Sequence, residues 1–267
     1  MSPSTPLVSI ITIVFNGELH LEQTIKSVLE QTYYNIEYII IDGGSTDGSV
    51  SIIKKYSDKL AYWISEKDEG ISDAFNKGIA KATGGIVGLI NADDWYEPNA
   101  VETVIKTIEN YDVLYGRLAL WKSGKQDVIF TGDHQHLIKE MTINHPTVFV
   151  KRYCYLEDGL FDTRYKYAMD YDFVLRLFIN ARRFKYTPHV LANMRWEGLS
   201  DKQWYNACKE VLAIKNKFFP HKKLKNKLHF LKQVAAIRIG KLLPKLRLEI
   251  LVKFYRSRLS AVKKIYS

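Results

Sequence analysis

Two adjacent carboxylates, Asp93 and Asp94, interrupt the stretch "GLINADDWYEP" (88 to 98), where an apolar run gives way to an aromatic pair and a proline. Side by side the two charges repel, so a cation or a hydrogen-bond donor is expected between or beyond them. A plain turn is the competing reading, because Asn and Asp are ordinary turn residues and Pro98 can open a helix at its first position. A second polar cluster lies in "GISDAFNKGIAKA" (70 to 82). Drawn as a helix, it sets Ile71, Ala74, Phe75, Gly78 and Ala82 on one side and Asp73, Asn76 and Lys77 on the other. That polar side is either a solvated face or one turned toward a ligand, with Lys77 offered to a phosphate. Further on, "AMDYDFVLRL" puts Asp170 and Asp172 at a helix start. There Asp170 could cap the helix and Asp172 could pair with Arg176 four residues on.

The elements that must position these residues follow from periodicity. "LVSIITIV" (7 to 14) and "IEYIIID" (36 to 42) are continuous β-branched runs, as expected of parallel strands covered on both faces. "LAYWIS" (60 to 65) and "GIVGLIN" (85 to 91) read as two more. Between the first two, Leu21, Ile25, Val28 and Leu29 repeat at helical spacing, and a helix is expected to begin near Ser45 and Thr46. Strands alternating with helices predict βαβ units and a parallel sheet. Ligands of open sheets bind beyond the carboxyl ends of the strands, where Asn16, Asp42, Asp93 and Asp94 all fall. After Tyr115 the alternation fades into mixed elements, including "DVIFT" and "PTVFVKR" before the helix near Asp170. Residues 116 to 200 therefore read as a second half built onto the same sheet.

With 267 residues, 46% of them hydrophobic, the chain can bury one large α/β core and carry an appendage. The net charge of +10 is unevenly spread. From Lys215 onward there are sixteen Lys and Arg against one acid, Glu249, so the tail carries +15 and the preceding residues −5. Such asymmetry predicts an appendage that seeks anionic surfaces. "MSPSTP" lacks the basic and apolar regions of a secretory signal, and no run is long enough to span a membrane, so a cytoplasmic location is expected. Cys154 and Cys208 lack metal-type spacing and are expected to be reduced packing residues.

"VSIITIVFN", "IDGGSTDGS", "DEGISDAFNKGIAKATG", "NADD" and "MDYDFVLRL", in that order and spacing, resemble the family 2 glycosyltransferases of the GT-A fold. The similarity covers roughly residues 7 to 200 and is to the bacterial branch that builds capsule, exopolysaccharide or lipopolysaccharide. It implies an α/β fold with a mostly parallel central sheet flanked by helices. A donor-binding half (7–115) and an acceptor-binding half (116–214) would form one domain (1–214), followed by a basic, amphipathic helical tail (215–267).

By the same resemblance Asp94 is the principal ligand of Mn2+ or Mg2+ and Asp93 its neighbour. Donor binding falls to Phe15, Asn16, Asp42, Asp73, Asn76, Lys77, Asn91 and Asp93. Asp42 would hold the nucleobase or ribose. The sequence departs from the family at Gly43, where many relatives have an Asp that reads uracil, at Asn91, at Phe75 and at Met169. Asp170 matches the general base, with Asp172 in support. His145, in "INHPTVFV", is open to either a packing or an acceptor-binding role. "NMRWEGLS" (193 to 200) is similar to the loop that closes over the donor, and its Arg195 and Trp196 echo part of a processive-synthase motif. Ala192 stands where that motif has Gln, so processive polymerisation is not expected.

The implied reaction is an inverting transfer from a UDP-, GDP- or dTDP-sugar to a hydroxyl of a glycan or polyprenyl-diphosphate-linked acceptor, with the tail on the inner face of the cytoplasmic membrane. Two alternatives use the same features. A sugar nucleotidyltransferase would need a Gly-rich loop that "TIVFNGELH" lacks. A nucleic-acid-binding module would use the tail, where aromatics interleave with basic residues, but it gives Asp93 and Asp94 no task.

Overall fold

The computed structural model describes residues 5–196, 203–242 and 263–266. Its elements, in chain order, are β1 (Val8–Val14), α1 (Leu21–Leu29), β2 (Ile36–Asp42), α2 (Ser49–Lys55), β3 (Tyr62–Ser65), α3 (Ile71–Lys81), β4 (Ile86–Asn91), β5 (Trp95–Tyr96), α4 (Ala100–Thr107), β6 (Val113–Lys122), β7 (Lys125–Thr131), β8 (Phe149–Lys151), α5 (Arg152–Glu157), α6 (Met169–Ile179), β9 (Phe184–Arg195), α7 (Trp204–Phe218), α8 (Lys223–Leu242) and β10 (Lys263–Tyr266).

The strands form one sheet in the order β10-β7-β6-β8-β4-β1-β2-β3, with β9 pairing β6 and β5. From β3 to β4 all pairs are parallel. Beyond β4 the sheet turns mixed, since β8 runs antiparallel to β4 and β6 while β9 runs parallel to β6. Every residue of β1 is buried. Because side chains alternate along a strand, Ile11 and Ile13 enter one layer with Phe75 and Ile79 of α3 and Phe173 and Leu177 of α6. Val8, Ile10 and Val14 enter the other, with Leu21 and Ile25 of α1 and Val101 and Val104 of α4. The result is a three-layer α/β/α body. At Gly78 a Cβ would collide with Ile11, so the absence of a side chain there lets α3 lie close on β1.

The strands β1 to β4 and the helices α1, α3 and α6 fall where the apolar periodicity places them, whereas β5, β6, β9 and β10 are not foreseen by it. Other expectations are corrected. The helix expected near Ser45 and Thr46 starts at Ser49, because residues 43–48 form a loop held by side chains from β2 and the β1–α1 connection. The division at 115/116 falls inside β6, which runs unbroken through it. The boundary at 214/215 falls inside α7, where Ile214 and Lys215 are buried against the body and Lys215 Nζ donates to the Lys139 carbonyl at 2.7 Å.

The basic tail is not a free appendage either. Asn226 of α8 donates to the Lys215 carbonyl at 3.1 Å and to Asn216 at 3.0 Å, Val234 is buried, and β10 pairs antiparallel with β7. Along α8 Val234 turns inward, while Leu231 and Ala235 are exposed. Pro244 and the stretch from Leu246 to Phe254 lie outside the described residues. No helix among those described is long and apolar enough to cross a membrane. Cys154 and Cys208 are both unpaired and buried.

Candidate active site

The first wall of the site is built by loops at the carboxyl ends of β1 and β2. Phe15 leaves β1 65% exposed, an unusual position for a large aromatic. Asn16 follows at φ 51°, in the left-handed region that Asn tolerates better than most residues. Its backbone N–H donates to Ser45 Oγ at 2.8 Å, and its Oδ1 accepts the Thr46 N–H at 2.9 Å. Asp42 is wholly buried, and its carboxylate accepts from Gly44 N (3.1 Å), Ser45 N (2.9 Å), Ser45 Oγ (2.5 Å) and Ser65 Oγ (2.6 Å). Asp42, expected at the nucleobase or ribose, here spends its carboxylate on its own loop and on Ser65. Its lone pairs hold the "GGST" loop, and Phe15 and Asn16 beside it are exposed. Gly43 leaves room for the Asp68 carboxylate, which a Cβ there would strike.

The second wall is the acid pair. After Asn91 the chain turns, with Asp94 N donating to the Asn91 carbonyl at 3.1 Å. Thr24 of α1 donates to the carbonyls of Ala92 (2.8 Å) and Asp94 (2.6 Å), which pins that turn. "NADD" is a turn, and the acid pair lies within it. Asp94 is 1% exposed, its Oδ2 lies 3.5 Å from Asn91 Nδ2, and its Oδ1 is buried with no hydrogen-bond partner. Burial, and then the charge of Asp93, hold its carboxyl well above the usual carboxylate range.

The positive group anticipated near the pair is Arg195. Its guanidinium donates to the Asp93 carbonyl and to Gln23 Oε1, and it lies 4.6 Å over the Trp95 ring. Arg195 ends a 12-residue strand, so that part of "NMRWEGLS" is not loop, and Trp196 is tied by its N–H to the Trp121 carbonyl at 3.0 Å. Residues 197–200 of that stretch lie outside the described residues. Among the described residues no three His, Cys, Asp or Glu side chains converge as a metal cluster. A hard divalent cation needs no such cluster, since it commonly takes one or two carboxylates and completes its shell with phosphate oxygens and water. The unpartnered buried oxygen of Asp94 beside Asp93 fits that requirement.

On α3 the polar residues do not stand open. Lys77 Nζ pairs with Glu66 at 2.8 Å and Asp73 at 3.3 Å, so its charge is already matched. Asn76 spends both ends of its amide on Phe161, donating to the carbonyl at 2.9 Å and accepting from the N–H at 3.0 Å. Asn76, expected at the donor, here ties α3 to the segment at Phe161. Phe75 stacks on His145 at 5.1 Å inside the core.

The acid expected as base lies at the start of α6. Ala168 holds the cap position, so Asp170 is not the cap. The one amide outside itself that Asp170 accepts is the N–H of Tyr171, at 2.8 Å. Its carboxyl lines a cavity of about 10 Å³, too small for a ligand, with Leu89, His145, Tyr155, Phe161 and Phe173 among the walls. Leu89 lies two residues before the end of β4, which places Asp170 under the strand that carries the acid pair. Burial pushes the Asp170 carboxyl up to about 6. It also pushes the His145 imidazole down to about 4, and both ring nitrogens are buried without partners. Asp172 is fully buried, bonded to Lys217 Nζ at 2.8 Å and 3.6 Å from Arg176. The Arg176 pairing was legible from the four-residue spacing. Lys217 and Glu210 of α7, and Thr24 and Gln23 of α1, were not, because nothing local marks a contact so distant in sequence.

The mixed sheet, in which β1 to β4 are parallel and five of the nine strand pairs among the described residues are antiparallel, corrects the expected mostly parallel one, and with helices on both faces it has GT-A architecture. The chain belongs to glycosyltransferase family 2: the model of that family, Glycosyl transferase family 2, matches residues 9–128. An uncharacterized glycosyltransferase of Haemophilus influenzae is 30% identical over 239 residues, which are 79% of this chain and 72% of that protein. Another, from Rickettsia typhi, is 33% identical over 183 residues, 63% of this chain and 57% of the relative's length. Among solved structures, TarS of S. aureus superposes with a TM-score of 0.63 at 19% identity, covering 78% of this chain and 65% of that one. A Pyrobaculum calidifontis mannosyltransferase, solved in complex with GDP-Man and Mn2+, has a TM-score of 0.67 at 17% identity, covering 96% and 83%.

Proposed function

We propose that this chain transfers a sugar from a UDP-, GDP- or dTDP-sugar to a hydroxyl of a glycan or polyprenyl-diphosphate-linked acceptor during synthesis of a bacterial surface polysaccharide, with inversion at the anomeric carbon. The observation that carries the reading is the buried Asp94 carboxylate, with one oxygen unpartnered, beside Asp93 at the end of β4. Structural neighbours solved with UDP-GlcNAc and with GDP-Man and Mn2+ make those two donors the first to try.

Asp94, with Asp93, would hold Mn2+ or Mg2+, which when bound neutralises charge on the departing diphosphate. Phe15 offers an exposed face on which a nucleobase can stack, and Asn16 fixes the loop beneath it. Asp170 takes the proton from the acceptor hydroxyl. The freed oxygen forms its bond to the anomeric carbon as the bond from that carbon to the diphosphate breaks. A carboxyl raised to about 6 is ionised at neutral pH yet basic enough for this task.

Family membership disfavours a nucleotidyltransferase. The packing of α8 and β10 on the body leaves a nucleic-acid grip without a free arm among the described residues. We place the chain at the cytoplasmic face of a membrane on the strength of the exposed Leu224, Leu228, Leu231 and Ile239 of α8. The deciding experiment for the activity is release of nucleoside diphosphate from UDP-GlcNAc, GDP-mannose and dTDP-sugars, with and without Mn2+. No metal-dependent turnover of any donor, with thermal stabilisation by DNA instead, would overturn the reading.

A further inference from the structure

The N-terminus of α6 is capped from outside. Ala168 at the cap position makes no side-chain hydrogen bond, and the amides leading into the helix are taken by Glu210 of α7. Its Oε1 accepts the Lys166 N–H at 2.9 Å, and its Oε2 accepts the N–H groups of Tyr167 at 2.8 Å and Ala168 at 2.9 Å. A carboxylate on three consecutive amides is a charge-assisted clamp, and it sets a negative charge at the positive end of the helix dipole. Farther along α7, Lys217 bonds Asp172 at 2.8 Å. α7 therefore grips α6 on both sides of Asp170.

We propose that Glu210 is a positioning residue for Asp170: by clamping the amides of residues 166–168 it fixes where the Asp170 carboxyl stands, and it makes α7 part of the catalytic apparatus. This rests on Asp170 being the base. α7 lies beyond residues 9–128, the segment that the family model matches, so nothing in that match assigns it a role.

The titratable groups around Asp170 are few. His145, in the same cavity, is kept neutral by burial, and the Tyr155 hydroxyl, which also lines it, is driven far above its ordinary range. On its own helix Asp172 is matched by Lys217 and Arg176. Burial is the main cause that raises Asp170, the amides of its own helix lower it, and the negative charge of Glu210 raises it again. Removing that charge should therefore move the Asp170 midpoint to lower pH.

Glu210→Gln in the full chain keeps the shape of the side chain and removes the charge. Three readouts apply: hydrogen–deuterium exchange over residues 162–171, a 13C titration of the Asp170 carboxyl assigned with Asp170→Asn, and Mn2+-dependent turnover of UDP-GlcNAc and GDP-mannose. Expected are exchange faster by about threefold or more, a midpoint shifted below the wild-type value of about 6, and turnover lower by about tenfold, with Mn2+-nucleotide affinity unchanged. If either the exchange or the midpoint matches wild type, the proposal fails. Should Asp170→Asn keep full turnover while Glu210→Gln still shifts exchange and midpoint, the base assignment falls and the clamp stands, so the two failures are told apart.

Discussion

One oxygen of Asp94 is buried without a partner while Asp93 stands beside it, an arrangement that burial alone disfavours. Taking an ionised carboxylate out of water costs several kcal/mol unless a donor or cation replaces the lost hydration. Arg195 supplies only part of that replacement: its backbone N–H and its charge favour the ionised Asp94, but its guanidinium is engaged by the Asp93 carbonyl and Gln23, and Oδ1 keeps no partner. Asp94→Ala should accordingly remove the Mn2+-dependent part of nucleotide binding and abolish transfer while the fold survives. Calorimetric titration showing wild-type Mn2+-nucleotide affinity would refute the assignment. Asp170 makes a separate prediction through its pH dependence. A base must be ionised to accept a proton, so turnover should fall as pH drops through about 6 and level off above it. Asp170→Asn should keep donor affinity, lose that limb, and lower turnover by roughly a hundredfold to ten-thousandfold. Near-normal turnover in this variant would leave Asp170 without a chemical role. Residue types alone pointed to both sites. The sequence did not reveal that Asp42 and Asn76 turn their polar atoms inward, since the donors that saturate them come from other segments.

Among the elements, legibility followed local physics. β1, β2 and β4 are buried along most of their length, so most of their residues are apolar and β-branched, and such runs stand out in sequence. α3 and α6 carry apolar residues at helical spacing and were equally visible. The mixed half was not, because β6 runs through the point where alternation fades and its partners β7, β8 and β9 lie at scattered distances along the chain. The expected start of the tail at 215 lies within α7, where basic residues suggested solvent, yet Lys215 and Lys217 both turn their ammonium groups to acceptors in the body. The pairing of Lys217 with fully buried Asp172 joins α6 to α7, and a charged bond across a packed interface gives a stability prediction. Asp172→Asn should cost about 1–3 kcal/mol by weakening that bond, seen as a melting temperature lower by a few degrees in a chain of this size. Its turnover per folded molecule should fall much less than that of Asp170→Asn. A loss of turnover as large as in Asp170→Asn, with melting unchanged, would reverse the roles of the two acids.

For the molecule as a whole, charge and exposed apolar surface coincide on one element. Leu224, Leu228, Leu231 and Ile239 recur at three- and four-residue spacings or their multiples along α8 and are 74%, 51%, 50% and 55% exposed, so they share one outward face. Lys223, Lys225, Lys227, Lys232 and Arg238 on the same helix are exposed as well, and it carries no acid. The inward face is fixed by Asn226 and Val234, which accounts for the part of the tail that packs on the body. An apolar row with basic residues on the same exposed helix suits the interface of an anionic bilayer. Each well-placed Lys or Arg there is worth about 1 kcal/mol, and the leucines add burial at the acyl boundary. The full chain should therefore co-sediment with vesicles containing a third of phosphatidylglycerol at moderate salt and lose binding as salt rises. Ending the chain after Phe219 is one comparison, but it also removes β10 from the edge of the sheet. Replacing Leu224, Leu228 and Leu231 together by Gln is the cleaner test, since these side chains face outward and the fold should keep its melting temperature. Binding to neutral vesicles as strong as to anionic ones, or an unaltered affinity in the triple variant, would show that this face serves something other than a charged membrane.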